Sequence, residues 1–404
     1  MAQSSRSALL FKAAVKGDIA TIQSLLTPDF DINECNESKQ TALHAAAYFA
    51  QEDSVKALLA TDRCNLHLTT NLGDTALHCA VRNEYKPYDP EIRKKRINIV
   101  NMLIAAGCNP AQVNHAKRSP LHLACNLVHA PIVEKLLENQ SVKKSINDKD
   151  IVELNPLSTI AVFNITNLHA HLHFQSIVEQ QLKIIALLGD HGAPINSLFA
   201  CKEEKDSSPI SCFEAAFNQH LNYVENSRTI PNLTSYKDPR DGHTVRPGYF
   251  YSMITDKKPD WDFNPIVKLV TLFVALGADA QRIKEDLDKL YDASFTYSAE
   301  LTSVNCLAKT REKVNEAIEN GKVKETERRA SQGKITAVSI LESMEATAKL
   351  EVKDAKEEKE VKAAATASPT QTSGLFASPT PPVAPKAKMK APAAASDKRR
   401  RKSF

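Results

Sequence analysis

Hydrophobic and polar positions along the first 280 residues recur in a pattern that predicts short paired helices. Apolar residues repeat at i, i+3 and i+4 in segments such as 55–59, 99–104 and 132–137, which is the spacing of one helix face. A shorter segment rich in Ala and Leu precedes each of them. One helix pair cannot bury its own apolar face, so the pairs must stack on one another. The pattern therefore predicts an all-α fold built from repeated helix pairs.

The shorter helix of three pairs begins with nearly the same phrase. It reads TALHAA from Thr41, TALHCA from Thr75 and SPLHLA from Ser119. Thr or Ser before a helix is a common N-cap, because its hydroxyl accepts a bond from a free backbone N–H. The first two copies lie 34 residues apart and the third follows 44 residues later. These intervals indicate a period of about 33 residues with one insertion of about 11.

This phrase at this period resembles the ankyrin repeat. The resemblance is specific over residues 41–140 and extends, with degenerate copies and insertions, over residues 7–280. It implies an ankyrin-repeat solenoid of about six repeats, each made of a tight turn, two antiparallel helices and a loop. It also implies that His44, His78 and His122, which share one repeat position, form hydrogen bonds between repeats.

Three domains are expected along the chain. The ankyrin-repeat domain covers residues 7–280, and a helical C-terminal region with separate apolar stripes covers 281–350. A tail over 351–404 is first charged and then dominated by Ala, Pro, Ser, Thr and Lys. The charged run from Lys349 to Lys362 is helix-prone. From Ala363 onward the composition buries too little apolar area to offset ordering, so we expect disorder from that residue.

Composition narrows the class of protein. The chain has 404 residues, of which 42% are hydrophobic, and no run of 18 apolar residues, so no transmembrane segment is expected. Its eight cysteines are scattered without a C-x-x-C pair, which indicates reduced thiols in a reducing compartment. We therefore expect a monomer in the cytoplasm or nucleus, with secretion into a host cell as a further option.

The net charge of +4 hides a basic tail. Residues 361–404 hold nine Lys or Arg and a single acidic residue, Asp397, so the rest of the chain is net acidic. A basic run near the end is a candidate for nuclear import, nucleic-acid contact or acidic-lipid contact. The run consists of Lys398, Arg399, Arg400, Arg401 and Lys402. We expect nucleic acid to bind, if at all, through this tail.

Three serines are candidate phosphorylation sites. Ser331 ends the sequence RRAS, which resembles a site for basophilic kinases. Ser368 and Ser378 precede prolines and resemble proline-directed sites. Phosphates on the tail would offset its positive charge.

The ankyrin resemblance also implies partner-binding positions, which are placed by using each N-cap residue as the register. They are Glu37, Ser38, Gln40, Tyr48 and Phe49; Asn71, Leu72, Asp74, Arg82 and Asn83; and His115, Ala116, Arg118, Asn126 and Leu127. Exposed Tyr48 and Phe49, with Arg82 and Arg118 further along, would form a mixed aromatic and cationic face. Such a face favours a protein partner with an acidic or carbonyl-rich surface.

Insertions offer other candidate sites. The insertion over 220–262 is rich in Tyr, Pro and Arg and contains Tyr249 and Trp261, residue types common in binding hot spots; the alternative is that these aromatics pack across the last repeats. The insertion over 83–96 is either a binding loop or an early start of the second helix with Arg93–Arg96 as its solvated face. His169, His171 and His173 alternate, but i, i+2 spacing separates them around a helix, so we expect no metal.

These observations favour a protein–protein interaction module over an enzyme, with no cofactor. The degenerate repeats, long insertions and Lys- and Ser-rich tail are similar in style to ankyrin-repeat effectors of intracellular bacteria such as Legionella. Two alternatives from other classes remain. One is an ankyrin-containing hydrolase that uses Cys201, Cys212 or Cys306 as nucleophile, and the other is a nuclear or nucleic-acid-associated factor that acts through its tail.

Overall fold

A computed structural model describes residues 3–82, 89–161, 174–199, 210–216, 236–237, 244–245, 264–285 and 304–366. This part of the chain is mostly helical, as predicted. Its helices are α1 (Gln3–Lys16), α2 (Ile19–Leu25), α3 (Ala42–Tyr48), α4 (Glu52–Leu59), α5 (Ala76–Val81), α6 (Pro90–Ala105), α7 (Pro120–Asn126), α8 (Ala130–Leu137), α9 (Gln140–Lys144), α10 (Pro156–Ala161), α11 (Phe174–Asp190), α12 (Asn264–Ala275), α13 (Val304–Ala330) and α14 (Ala337–Thr366). Short helical segments also occur at 212–216 and 280–285.

Two pairs of very short antiparallel strands accompany the helices. β1 (Leu198–Phe199) pairs with β2 (Ile210–Ser211). β3 (Tyr236–Lys237) pairs with β4 (Thr244–Val245). β2 leads directly into the helical segment 212–216, and the Ser211 hydroxyl accepts a bond from the Glu214 N–H at 3.0 Å. The strand pair β1–β2 thus occupies the place of a repeat turn before a capped helix.

The helices form two parallel rows in a stack. The first helix of each pair (the inner helices α1, α3, α5, α7 and α10) contacts the next inner helix, and the outer helices α2, α4, α6, α8 and α11 do the same. Each inner helix also packs on its own outer helix. Leucines at one repeat position of the inner helices are all buried in the core: Leu43, Leu77, Leu121 and Leu157. The stack therefore buries one continuous apolar core.

The repeated Thr/Ser and His residues couple neighbouring repeats. The Thr75 hydroxyl accepts a bond from the His78 N–H at 3.4 Å, and the Thr75 N–H donates to His78 Nδ1 at 3.2 Å. Because Nδ1 accepts that bond, Nε2 carries the proton, and it lies 3.0 Å from the Arg118 carbonyl of the next repeat. His44 and His122 have the same bonds to their N-caps, and their Nε2 atoms lie 3.1 Å from the Leu68 and Asp148 carbonyls, in the loops that lead into the next repeat. The predicted hydrogen bonds of these histidines between repeats are confirmed.

Left-handed residues end several of the helices. Gly107, Gly192 and Gly277 follow α6, α11 and α12 with φ of 100°, 86° and 91°. The N–H of the next residue then bonds back into the helix, as from Cys108 to the Leu103 carbonyl at 3.0 Å, which is the Schellman arrangement. Inner helices α3 and α7 end in the same way, but with Ala50 at φ 54° and Val128 at φ 50°. A side chain at such φ values is strained, because Cβ crowds the following carbonyl.

The C-terminal helices pack on the end of the stack. α13 lies along α12, with Gly321 at the crossing, where a Cβ atom would lie 2.6 Å from Val274 Cβ. Thr271 Oγ1 donates to the Ala317 carbonyl at 3.3 Å across the same contact. The chain divides into two compact units, Met1–Lys349 and Leu350–Phe404, so the repeats and α13 belong to one unit. The division into three domains stays a prediction.

The left-handed residues provide a stability test. Ala50→Gly should raise the free energy of unfolding by up to about 1 kcal/mol, because it removes the Cβ strain at φ 54° and loses only one methyl group. Gly107→Ala is the matched opposite change. It should lower the free energy of unfolding by about 1 kcal/mol, since the new Cβ meets no atom within 4 Å and only the backbone is strained. Urea titrations measure both, and destabilisation by Ala50→Gly would contradict this account.

Candidate protein-binding surface

Four turns of identical construction project from the stack before the inner helices. They cover residues 36–40, 70–74, 114–118 and 150–154. In each turn, a side-chain oxygen of the first residue accepts bonds from the N–H groups of the third and fifth residues. Asn114 Oδ1, for example, accepts from Ala116 and Arg118 at 3.0 Å each. Asn36, Thr70 and Asp150 do the same.

A ladder of backbone bonds fixes the turns relative to one another. The Asn71 N–H donates to the Ser38 carbonyl at 3.0 Å, and the His115 N–H donates to the Leu72 carbonyl at 3.0 Å. The Ile151 N–H continues the ladder to the Ala116 carbonyl at 3.1 Å. Helices pack 8–10 Å apart, so the four tips, with three intervals between them, span roughly 24–30 Å. They form a preordered edge long enough for a standard protein interface.

We define the tip surface by the second and third residues of these turns. They are Glu37, Ser38, Asn71, Leu72, His115, Ala116, Ile151 and Val152. Glu37, Ser38, Asn71 and His115 are exposed, and Ala116 is half-buried. Leu72 is 57% exposed and Ile151 is 55% exposed, which is unusual for large apolar side chains held by an ordered backbone. The predicted positions in this set are therefore accessible, apart from the partial burial of Ala116.

Ile151 and Val152 are surface residues that sequence reasoning missed. They occupy the same turn positions as Asn71 and Leu72, but no TALH-like phrase follows them. The only available signal was the polar acceptor at the start of the turn, Asp150, 36 residues after Asn114.

The structure corrects the prediction for Asp74. Its side chain is buried, and the carboxylate accepts from Asn114 Nδ2 at 2.7 Å and from Arg82 Nη1 at 2.8 Å. Asp74 therefore connects two turns and the end of an inner helix, and its carboxylate is not accessible to a partner protein. Gln40, at the equivalent position, is half-buried.

The expected cationic part of the face is also largely neutralised. Arg82 pairs with Asp74, and Arg118 Nε lies 2.9 Å from Asp150 Oδ2, with both carboxylates buried. Each arginine side chain is about one-third exposed, so it is partly accessible while its charge is balanced. The surface is thus less basic than its arginine content indicated.

The aromatic pair at the end of α3 is divided between core and surface. Tyr48 is half-buried and packs against the core, whereas Phe49 is 46% exposed. Their rings meet edge to face with centroids 5.1 Å apart. The expectation that both rings are exposed is corrected for Tyr48. At the equivalent end of α7, Asn126 is exposed and Leu127 is half-buried.

A basic cluster of buried Arg96 and half-buried Arg93 lies at these helix ends. Arg96 is buried, not solvated as expected, and donates to the Ala80 carbonyl at 2.7 Å and the Tyr48 carbonyl at 3.2 Å. Arg93 donates to the Val128 carbonyl at 2.9 Å. The carbonyl ends of helices carry partial negative charge, which favours both guanidinium groups. α6 begins at Pro90, so the predicted early start of this helix is confirmed. The prediction that Arg96 lies on its solvated face is wrong.

His129 lies in the same cluster and is 95% buried. Neither of its ring nitrogens bonds to another residue within the described part of the chain. Burial, followed by the charges of Arg93 and Arg96, lowers the pKa of His129 to about 3. Its imidazole is therefore neutral in the folded protein at ordinary pH.

The predicted cysteine nucleophile gains no support at Cys212. This thiol is fully buried, and burial raises its pKa, so the reactive thiolate is disfavoured. The described residues contain no cluster of three metal-ligating side chains. No helix in the described ranges is long and apolar enough to cross a bilayer.

Several predicted site residues lie outside the described residues. They are Asn83, Tyr249, Trp261, Ser368, Ser378 and the basic run Lys398, Arg399, Arg400, Arg401 and Lys402. The same applies to the histidines at 169, 171 and 173, to Cys201, and to the side chain of Cys306.

The family comparison agrees with this construction. A model described as "Ankyrin repeats (3 copies)" matches residues 10–88, and a model described as "Ankyrin repeat" matches residues 72–115 and 117–151. The chain contains ankyrin repeats. Ankyrin repeats indicate a protein–protein interaction module, and the ankyrin turns and inner helices of this chain present the exposed side chains described above.

Similar proteins match only part of this chain. The human "Transient receptor potential cation channel subfamily A member 1" is 25% identical over 120 residues, which are 30% of this chain and 10% of that protein. The chain thus spans about a tenth of that relative's length. A solved structure described as "Bd0816 Predatory Endopeptidase from Bdellovibrio bacteriovorus in complex with immunity protein Bd3460" is 22% identical with a TM-score of 0.39. That match covers 53% of this chain and 93% of the other.

The buried histidine predicts how stability changes with pH. Because the pKa of His129 is about 3 when folded and near 6.5 when unfolded, only the unfolded state takes up a proton between these values. The free energy of unfolding should therefore fall as pH drops below 6.5, by at most about 1.4 kcal/mol per pH unit from this group. His129→Gln should flatten that dependence.

The control for this test is His67→Gln, because the His67 side chain is exposed. Gln is compatible with position 129, since Gln51 at the equivalent place donates to the Val15 carbonyl at 3.0 Å. Urea unfolding between pH 4 and 7 gives the slopes. Parallel curves for the wild type and His129→Gln would show that His129 does not set the acid sensitivity.

Proposed function

We propose that this protein is a binding adaptor that captures another protein on its tip surface and on the exposed ends of inner helices α3, α5 and α7. The proposal rests on one observation: large apolar side chains are exposed on turns whose backbone is held rigidly. Leu72 and Ile151 are more than half exposed, yet the backbone ladder holds both turns in place. A preordered surface loses little conformational freedom when it binds.

The surface chemistry describes the partner. Leu72, Ile151 and Phe49 offer apolar contact area, while exposed Asn71 and His115 offer hydrogen bonds between them. Arg82 and Arg118 have balanced charges, which favours a partner with apolar side chains and free carbonyl groups over a strongly acidic one. Such a mixture of apolar centre and polar surroundings is typical of protein interfaces.

The same proposal covers the possibility that the chain is a bacterial effector, to which its sequence is similar in style. An effector of this kind would use the surface on a host protein, and an adaptor of the same cell would use it on its own partner. The binding step is the same in both, so one experiment on the surface tests both.

Phe49→Ala is the sharpest test of the surface. It should weaken capture of the partner by more than about tenfold, since a truncated hot-spot aromatic costs 2 kcal/mol or more. The free energy of unfolding should change by about 1 kcal/mol or less, because nearly half of the side chain is already exposed. Tyr48 is left unchanged, because truncation of its half-buried ring would add a loss of stability.

Site-specific photocrosslinking first identifies the partner for this test. A photoreactive amino acid at position 49 or 72 of the full chain should yield one discrete crosslinked partner, which is then purified for affinity measurements. The matched control is position 56, because Lys56 is exposed on outer helix α4. Equal yields at positions 49, 72 and 56 would contradict the proposal. Loss of binding only in Tyr249→Ala with Trp261→Ala would move recognition to the insertion.

A further inference from the structure

Asp190, the last residue of α11, fastens the C-terminal helices to the repeat stack. Its Oδ1 atom accepts from the Ala337 N–H at 2.7 Å and from Arg328 Nη2 at 3.1 Å, and its Oδ2 atom accepts from the Val338 N–H at 3.3 Å. One carboxylate therefore caps the start of α14 and pairs with the last turn of α13. We call Asp190, Arg328, Ala337 and Val338 the Asp190 clasp.

Ser331 lies in the loop that the clasp closes. Its hydroxyl donates to the Arg328 carbonyl at 2.7 Å and accepts from the Ile335 N–H at 3.0 Å. The side chain is half-buried, and the turn after it uses left-handed Gln332 and Gly333. Ser331 is thus bonded to the backbone of the arginine that pairs with Asp190.

The two arginines before Ser331 differ in availability. Arg329 is 76% exposed and pairs with Glu325 one turn earlier in the same helix, whereas Arg328 is 26% exposed and held by Asp190. A basophilic kinase requires both cations at this spacing from the acceptor serine. It can therefore engage the sequence RRAS only when Arg328 has left Asp190, that is, when the clasp has opened locally.

We propose that Ser331 is a phosphorylation site whose phosphate holds the Asp190 clasp open. In the transfer step, Ser331 Oγ attacks the γ-phosphorus of ATP bound to the kinase. The Oγ–P bond forms, the bond from the γ-phosphorus to the bridging oxygen breaks, ADP leaves, and the hydroxyl proton passes to the base of the kinase. The inference is independent of the partner-binding proposal.

Three consequences of the phosphate act in the same direction. The phosphate adds about −1.5 to −2 charges beside the Glu327 and Arg328 carbonyls that end α13, where negative charge is unfavourable. It also removes the hydroxyl proton donated to the Arg328 carbonyl. Finally, its oxygens compete with Asp190 for the Arg328 guanidinium, because phosphate and arginine form strong charge-assisted bonds. The closed state is destabilised and the open state is stabilised.

Hydrogen exchange of the full-length protein tests the effect on the clasp. The first N–H groups of a helix have no partner within that helix, so Asp190 is what protects the amides of Ala337 and Val338. The catalytic subunit of cyclic-AMP-dependent protein kinase with MgATP should add one phosphate to the peptide that contains Ser331. These two amides should then exchange about tenfold faster, while Ser331→Ala treated in the same way should show no change.

Phosphorylation rates test whether the clasp controls access. Asp190→Asn keeps an oxygen that can cap α14 but loses the ion pair, so its initial rate at Ser331 should rise about tenfold. Glu138→Gln, which removes an exposed carboxylate far along the chain, should leave the rate unchanged. Equal rates for Asp190→Asn and the wild type would overturn the proposal. The proposal would also be overturned if the kinase phosphorylated a peptide of residues 325–336 but left Ser331 of the full-length protein unmodified. It would be overturned as well if Ser331 of the protein were phosphorylated and the amides of Ala337 and Val338 did not exchange faster.

Discussion

The structure depends first on the contact between one repeat and the next. A buried histidine at the same position in three repeats makes that contact specific, because its hydrogen bonds fix the geometry. Its Nδ1 atom is committed to the N-cap of its own helix, and its Nε2 proton is committed to a carbonyl of the following repeat. A buried imidazole without these partners would cost free energy. Each repeat thus positions its neighbour by a directional hydrogen bond as well as by apolar packing. This contact between repeats also sets the spacing of the turns.

Much of the stack could be predicted because its rules are local. The N-cap at Thr75, the helix that follows it and the coupling through His78 depend on residues within one phrase. The turns were harder to predict, because NESKQ and DIVEL share only an acceptor at the first position. For this reason Ile151, at the tip of a turn without a following TALH-like phrase, did not stand out from the sequence.

The predictions for surface residues that were wrong failed because these residues contact others that are distant in sequence. Asp74 has the right register for a contact residue, but Asn114, 40 residues later, takes its carboxylate into the interior. Arg96 belongs to a run of four basic residues typical of a solvated face, yet it reaches two helix ends and becomes buried. Likewise Asp190 resembles an ordinary charged helix end, and only the fold brings the start of α14 to it.

Ankyrin arrays are usually modular, so a unit can be deleted or exchanged while the rest of the array persists. The third repeat of this chain is an exception, because Arg93 and Arg96 of α6 serve carbonyls in three successive repeats: Tyr48, Ala80 and Val128. Removing that repeat would leave the helix ends on both sides without their donors. Recombination or engineering of this array is therefore constrained at its centre, and new units are tolerated more easily on either side of the second, third and fourth repeats.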